Sequence, residues 1–167
     1  MMALNITTRR VDYASAPDRA ALCSLLNHYA QDPMGGGEPL AADVLARLCD
    51  DLSERAFAFS FIAWAASPDG DLAVGLVNCM EGYSTFKAKP LINIHDLVVH
   101  SDWRGQGVGQ RLMQAVEHVA RSKGACKITL EVLTGNRTAM QSYERFGFAP
   151  YALDPKAGTA TFMQKWL

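Results

Sequence analysis

The stretch INIHDLVVHSDWRGQGVG, from Ile92 to Gly109, constrains the fold of this chain more than any other. Ile92, Ile94, Leu97, Val98 and Val99 make a β-branched and apolar run of strand length. A short turn leads to the loop Arg104-Gly105-Gln106-Gly107-Val108-Gly109, and a helix follows at once. Val108, Leu112, Ala115, Val116 and Val119 fall on one stripe of that helix, and Gly124 stops it. The first N–H groups of such a helix lack intrahelical acceptors and lie at the positive end of its dipole. Strand, loop and helix therefore predict a local anion site.

Three phosphate motifs compete for that loop. A P-loop needs Lys and Ser or Thr after its last glycine, but Gln110 and Arg111 follow Gly109. The dinucleotide fingerprint accepts Gly105 and Gly107 and fails at Gln110, and it belongs in a first β-α-β unit, whereas about 90 residues precede the strand that leads into this loop. The pattern R-x-x-G-x-G remains, met by Arg104, Gly107 and Gly109.

The rest of the chain supplies the frame. Leu4–Val11 reads as a strand, and Ser15-Ala16-Pro17-Asp18 starts a helix with Leu22, Leu25, Leu26 and Tyr29 on its inner face. Gln31–Pro39 holds two prolines and three consecutive glycines, either a flexible connector or a mobile lip over a pocket. Helix Leu40–Glu54 follows, then strands Ala56–Ala66 and Leu72–Phe86 joined by the turn Ser67-Pro68-Asp69-Gly70. Beyond the central helix come a strand Lys127–Leu133, a helix Asn136–Phe146, and strands Phe148–Leu153 and Thr159–Trp166. The prediction is one α/β (α+β) domain over residues 1–167, a mixed and mostly antiparallel sheet of six to seven strands flanked by about four helices.

A second motif lies downstream. Asn136, Ala139 and Tyr143, at offsets of three and four, share one helix face, and Gly147-Phe148 turns into the next segment. With both motifs in this order, the chain resembles the GNAT superfamily of N-acetyltransferases from Ile92 to about Tyr151, and element order extends the likeness over most of its length. The resemblance implies the acyl-CoA N-acyltransferase fold and acetyl-CoA as cofactor. It implies that the amides around Gln106, Gly107, Val108, Gly109 and Gln110 hold the CoA pyrophosphate, with Gly105 also among the cofactor-binding residues. Arg104 either faces the phosphates or forms a surface ion pair. The edge of Leu97, Val98 and Val99 pairs with the pantetheine, Asn136 touches the cofactor, Ala139 lets it approach, and Tyr143 protonates the departing thiolate.

Acetyl transfer to an amine also needs a proton acceptor, since an alkyl amine is protonated at neutral pH. Strand alternation puts Asn93, His95, Leu97 and Val99 on one face and Ile94, Asp96 and Val98 on the other. The resemblance points to His95 as that base, against a His merely satisfied by polar neighbours. The family builds its acceptor side from the first helices and the central hairpin, which here offer Asp32, Met34, Glu38, Glu81, Tyr83 and Phe86. Acidic groups beside aromatic ones suit a cationic amine. The text Leu91–Leu97 resembles the small-amine branch, with His95-Asp96 where that branch usually has Glu-Asp. The expected acceptor is a polyamine, amino acid or aminoglycoside-like compound. A protein N-terminus or lysine, or an acyl-CoA-binding module without turnover, are the alternatives.

Composition limits the partners. A formal net charge of −1 gives no field for nucleic acid or an anionic membrane. The apolar run Ala56–Ala66 is too short to span a bilayer, and the N-terminus carries no secretory pattern, so a cytoplasmic protein is expected. Cys23, Cys49, Cys79 and Cys126 are scattered without metal spacing, which predicts free thiols and no metal site. A homodimer is expected from the resemblance, with Thr159–Trp166 pairing or swapping across it.

Overall fold

A computed structural model describes residues 5–167 of the chain. Among the described residues, five strands and four α-helices follow one another: β1 (Ile6–Arg10), α1 (Ala16–Gln31), α2 (Ala42–Ser53), β2 (Ala58–Ala65), β3 (Leu72–Ser84), β4 (Lys89–Val99), α3 (Val108–Ser122), β5 (Ile128–Leu130) and α4 (Arg137–Phe146). The strands form one sheet in chain order. β1 to β4 pair antiparallel, and β5 joins β4 parallel over only Ile92↔Ile128 to Ile94↔Leu130. Leu4, the expected start of the first strand, lies outside the described residues.

Alternation along β2 supplies both faces of the sheet. Phe59, Phe61, Ala63 and Ala65 face a core shared with Val108, Leu112, Met113 and Val116 of α3. Ala58, Ile62 and Trp64 face a second core built on Leu22 and Leu25 of α1 and Cys49 and Leu52 of α2. Gly75 seats α3 on the sheet. A Cβ at this position would fall 2.7 Å from a Val108 methyl and 3.1 Å from the Val98 carbonyl oxygen, so any side chain here would push the first turn of α3 off β3.

Two expectations need correction. The sheet has five strands rather than six to seven, because Phe148–Leu153 and Thr159–Trp166 do not pair. A strand exists through its ladder, and β5, with three paired residues, gives these segments little edge to join. Phe148 packs against the α3-side core, but Phe162, Met163 and Trp166 stay 76%, 83% and 85% exposed. The second correction concerns the phase of β4. Asn78 pairs with Asp96 while its neighbour Cys79 pairs with Ile94, a β-bulge that leaves His95 as the extra residue. The bulge puts Ile92, Ile94, Leu97 and Val99 together against the α3 side, with Val98 on the α1/α2 side. Simple alternation had separated Ile94 from Leu97 and Val99.

Candidate active site

The site begins where two parallel strands part. β4 and β5 pair as far as Ile94 and Leu130, and β4 then runs on to Val99 without β5 beside it. Leu97, Val98 and Val99 therefore present an edge that β5 does not pair to a cleft of about 500 Å³, with the Val99 carbonyl accepting from Arg104 Nε at 3.3 Å.

The floor of that cleft is the start of α3. Gly105 and Gly107 have φ of 76° and 80°, left-handed backbone that glycine adopts without strain. Gly107 is the N-cap and supplies no side chain, and the first turn holds no acidic residue. The first backbone bond closes from Arg111 N–H to the Gly107 carbonyl at 3.2 Å, so the N–H groups of Val108, Gly109 and Gln110 have no acceptor within the helix. Gln110 Nε2 donates to the Ser142 carbonyl at 3.0 Å, tying α3 to α4 across the cleft. The Asn136 carboxamide oxygen accepts from Ala139 N–H at 3.1 Å, so Asn136 caps α4.

The opposite wall is the end of α1. Gln31–Pro39 is neither slack nor open: Asp32 is the hub of a tight turn. Its Oδ1 accepts from Met34 N–H at 2.9 Å, and its carbonyl accepts from Gly35 and Gly37 N–H at 2.7 and 3.1 Å. Gly35 lies so close to α1 that a Cβ would fall 1.9 Å from the Tyr29 carbonyl oxygen. The turn directs Asp32 and Met34 into the cleft beside Tyr29.

Of the residues named from sequence, Asp32, Met34, Leu97, Val98, Val99, Arg104, Gly105, Gly107, Val108, Gly109, Gln110, Asn136, Ala139 and Tyr143 line this one cleft. The others lie off its lining. Gln106 turns back to donate to the Asp102 carbonyl at 3.0 Å. Glu81 pairs with Lys123 Nζ at 2.7 Å, beyond the other end of α3. Glu38 is exposed, and Tyr83 and Phe86 are 63% and 98% exposed near the β3–β4 turn. His95 is exposed at the bulge. Tyr29, Trp103, Thr138, Gln141, Ser142 and Arg145 also line the cleft and were not picked from sequence. Projecting α4 at an offset of three from Ala139 would have found Ser142.

Burial sets the protonation of the aromatic groups. It pushes the Tyr143 phenol up to about 12, with Tyr29 adding to the shift, so Tyr143 holds its proton through the neutral range. Burial also raises Tyr29, reinforced by the charges of Asp96 and Asp32. Asp96 is reached by a buried hydrogen-bond chain. Ser60 Oγ donates to Asn78 Oδ1 at 2.6 Å, and Asn78 Nδ2 donates to Asp96 Oδ2 at 3.0 Å. The single Ser60 proton is thereby used, so the 2.8 Å contact from Tyr13 has the phenol as donor. Every donor along the chain points toward the Asp96 carboxylate.

Against this geometry, a family model described as "Acetyltransferase (GNAT) family" matches residues 22–148. The chain belongs to the GNAT acetyltransferase family. It is 36% identical over 80 residues to thialysine N-epsilon-acetyltransferase of Bos taurus, covering 48% of this chain and 46% of that one. It is 38% identical over 101 residues to streptothricin acetyltransferase of Streptomyces lavendulae, covering 60% and 50%. The GNAT chain thus spans about half the length of these curated relatives. Its fold matches AAC(6')-Iy, solved with the bisubstrate analog CoA-S-monomethyl-acetylneamine, at a TM-score of 0.74 and 16% identity, over 98% of this chain and 99% of that one.

The cofactor of this family is acetyl-CoA, and the cleft fits it. N–H groups without a helical acceptor at the start of α3 suit a diphosphate, and the open β4 edge suits the amides of a pantetheine arm. Gly109 gives the sharpest test of fit. A Cβ there would meet only the Val99 and Leu97 side chains, at the ordinary contact distances of 3.7 and 3.8 Å. The protein's own packing would accept a Cβ at this position, so glycine here leaves room for a ligand lying on the helix start. Gly109→Ala should accordingly melt at or above the wild-type temperature, since Ala is the better helix former, yet bind CoA at least about ten-fold more weakly in calorimetry. Unchanged affinity would show that the cofactor does not lie against this turn.

Proposed function

We propose that this GNAT protein transfers an acetyl group from acetyl-CoA to the primary amine of a small cationic molecule by direct attack. One observation carries the reading. A single cleft joins a helix start suited to a diphosphate, an open strand edge, a protonated buried phenol and the Asp32 carboxylate. The relatives named for thialysine and streptothricin point to the same class of acceptor, a small molecule with a free amine.

Acetyl-CoA supplies an activated thioester. The chain has to orient its carbonyl, remove a proton from the incoming ammonium and return one to sulfur. The Leu97–Val99 edge offers backbone N–H groups for the developing oxyanion. Tyr143 keeps a proton to neutralise the thiolate as the C–S bond breaks. The amine forms its new bond to the acetyl carbon and gives up its proton at the β4 bulge, where His95 and Asp96 adjoin. His95 is the base the sequence suggests. The hydrogen-bond chain favours Asp96, because Tyr13, Ser60 and Asn78 fix its carboxylate while His95 stands exposed.

The homodimer belongs to the same proposal, with the exposed apolar residues of the C-terminal segment as its contact. Light scattering that returned a monomer at every concentration would remove it. The catalytic assignments are tested by thiol release with acetyl-CoA and an amine panel. Tyr143→Phe should lower kcat ~10²-fold or more with CoA affinity nearly unchanged. Asp96→Asn should cost a similar factor and His95→Gln far less. The reverse order of the last two would return the base to His95, and wild-type turnover in Tyr143→Phe would take that residue out of the mechanism.

A further inference from the structure

Among the described residues that line the cleft, Asp32 is the one carboxylate, and Arg104 and Arg145 are the cations. A cleft that must take an anionic cofactor and a cationic amine would be expected to show each ligand an unpaired partner. Two of these charges are instead joined to each other. Arg104 Nη2 donates to Asp32 Oδ2 at 2.9 Å, bridging the glycine loop and the turn after α1, 72 residues apart in sequence. Arg104 Nε donates to the Val99 carbonyl at 3.3 Å, the last residue of the open β4 edge. Asp32 is already held below the usual carboxylate range by Met34 N–H and then by Arg104, so it is charged at neutral pH.

We infer that the Arg104–Asp32 pair is an exchange latch: the CoA diphosphate takes Arg104 from Asp32, and the freed Asp32 oxygen then receives the ammonium of the acceptor. This rests on the acetyl-CoA and amine reading above and deepens it. The consequence is an order of binding. Before the cofactor arrives, the acceptor's carboxylate is occupied by an internal cation, and the Val99 carbonyl, part of the edge proposed for the pantetheine, is occupied by the same guanidinium. One ligand clears both contacts. The walls do not part when the latch opens, because His28 of α1 stacks on His100 with ring centroids 4.5 Å apart, and Ser101 N–H donates to His28 Nε2 at 3.4 Å. The pair is also easily exchanged, since the Arg104 side chain is 51% exposed and partly solvated already.

Asp32→Asn isolates the charge. The carboxamide oxygen still accepts from Met34 N–H, so the turn persists. Removing an ion pair that competes with the cofactor has the unusual result of improving cofactor binding. In calorimetry at low salt, Asp32→Asn should bind CoA about 2–5-fold tighter than wild type, the factor expected for a half-exposed ion pair. The difference should shrink at high salt, where such pairs are screened. In the same variant the KM for amine should rise while CoA affinity improves, a split that a merely structural role for Asp32 would not give. A wild-type-like melt with equal or weaker CoA affinity overturns the latch. A wild type that binds no CoA overturns the cofactor assignment instead. If Asp32→Asn does not fold, NMR on the wild type decides: CoA should shift the amides of Met34, Gly35 and Gly37, and silence at those amides refutes the exchange.

Discussion

The site depends on β4 leaving β5. Parallel pairing ends at Ile94 and Leu130, and β4 continues alone to Val99. Had the two strands stayed together, the donors and acceptors of Leu97–Val99 would be spent inside the sheet and α3 and α4 would close over them. Three other features make use of the parting. Gly75 lets the first turn of α3 lie directly on β3, the Gln110–Ser142 bond holds α4 at a fixed distance from α3, and the triple-glycine turn folds onto the end of α1. Each brings one wall to the gap. The cleft is thus a property of how the sheet divides, with the side chains added on rigid supports.

Charge is arranged around the same cleft. The start of α3 has no side-chain cap, and Asp32 faces the same cleft, bonded to Arg104 of the glycine loop. Tyr143 and Tyr29 line it too, and burial raises both phenols, so they keep their protons through the neutral range. Asp96 is handled differently. It terminates a hydrogen-bond chain that crosses three strands or their approaches, from Tyr13 before α1, through Ser60 on β2 and Asn78 on β3. A buried chain in which every donor is matched holds its end group in one orientation, which a surface carboxylate does not achieve.

The two motifs that a sequence can carry whole were the ones that could be read. Arg104–Gly109 and Asn136–Tyr143 are local patterns, and each arrives at the cleft on the helix that local spacing predicts. Long-range pairing decides the rest. The His95–Asp96 bulge leaves no composition signal, because it shows only in the jump of register against Asn78 and Cys79, and it reverses the face assigned to half of β4. Glu81 looks like an acceptor-side acid from its place on the hairpin, and only the docking of α3 reveals Lys123 beside it. Residues 159–166 have strand-forming composition, yet composition does not provide an edge to pair with. Tyr29 sat on the apolar face of α1 and was read as core. It is core along its ring, while its hydroxyl lies within 3.5 Å of the Met34 carbonyl at the cleft wall.

Hydrogen exchange measured with and without CoA tests the central claim most directly, because a bound cofactor slows exchange at the backbone N–H groups it covers. CoA should slow exchange at Val108, Gly109 and Gln110 and along Leu97–Val99, with little change at the β1–β2 ladder. Protection confined to other segments, or CoA bound with no change at the α3 start and the β4 edge, would contradict the account.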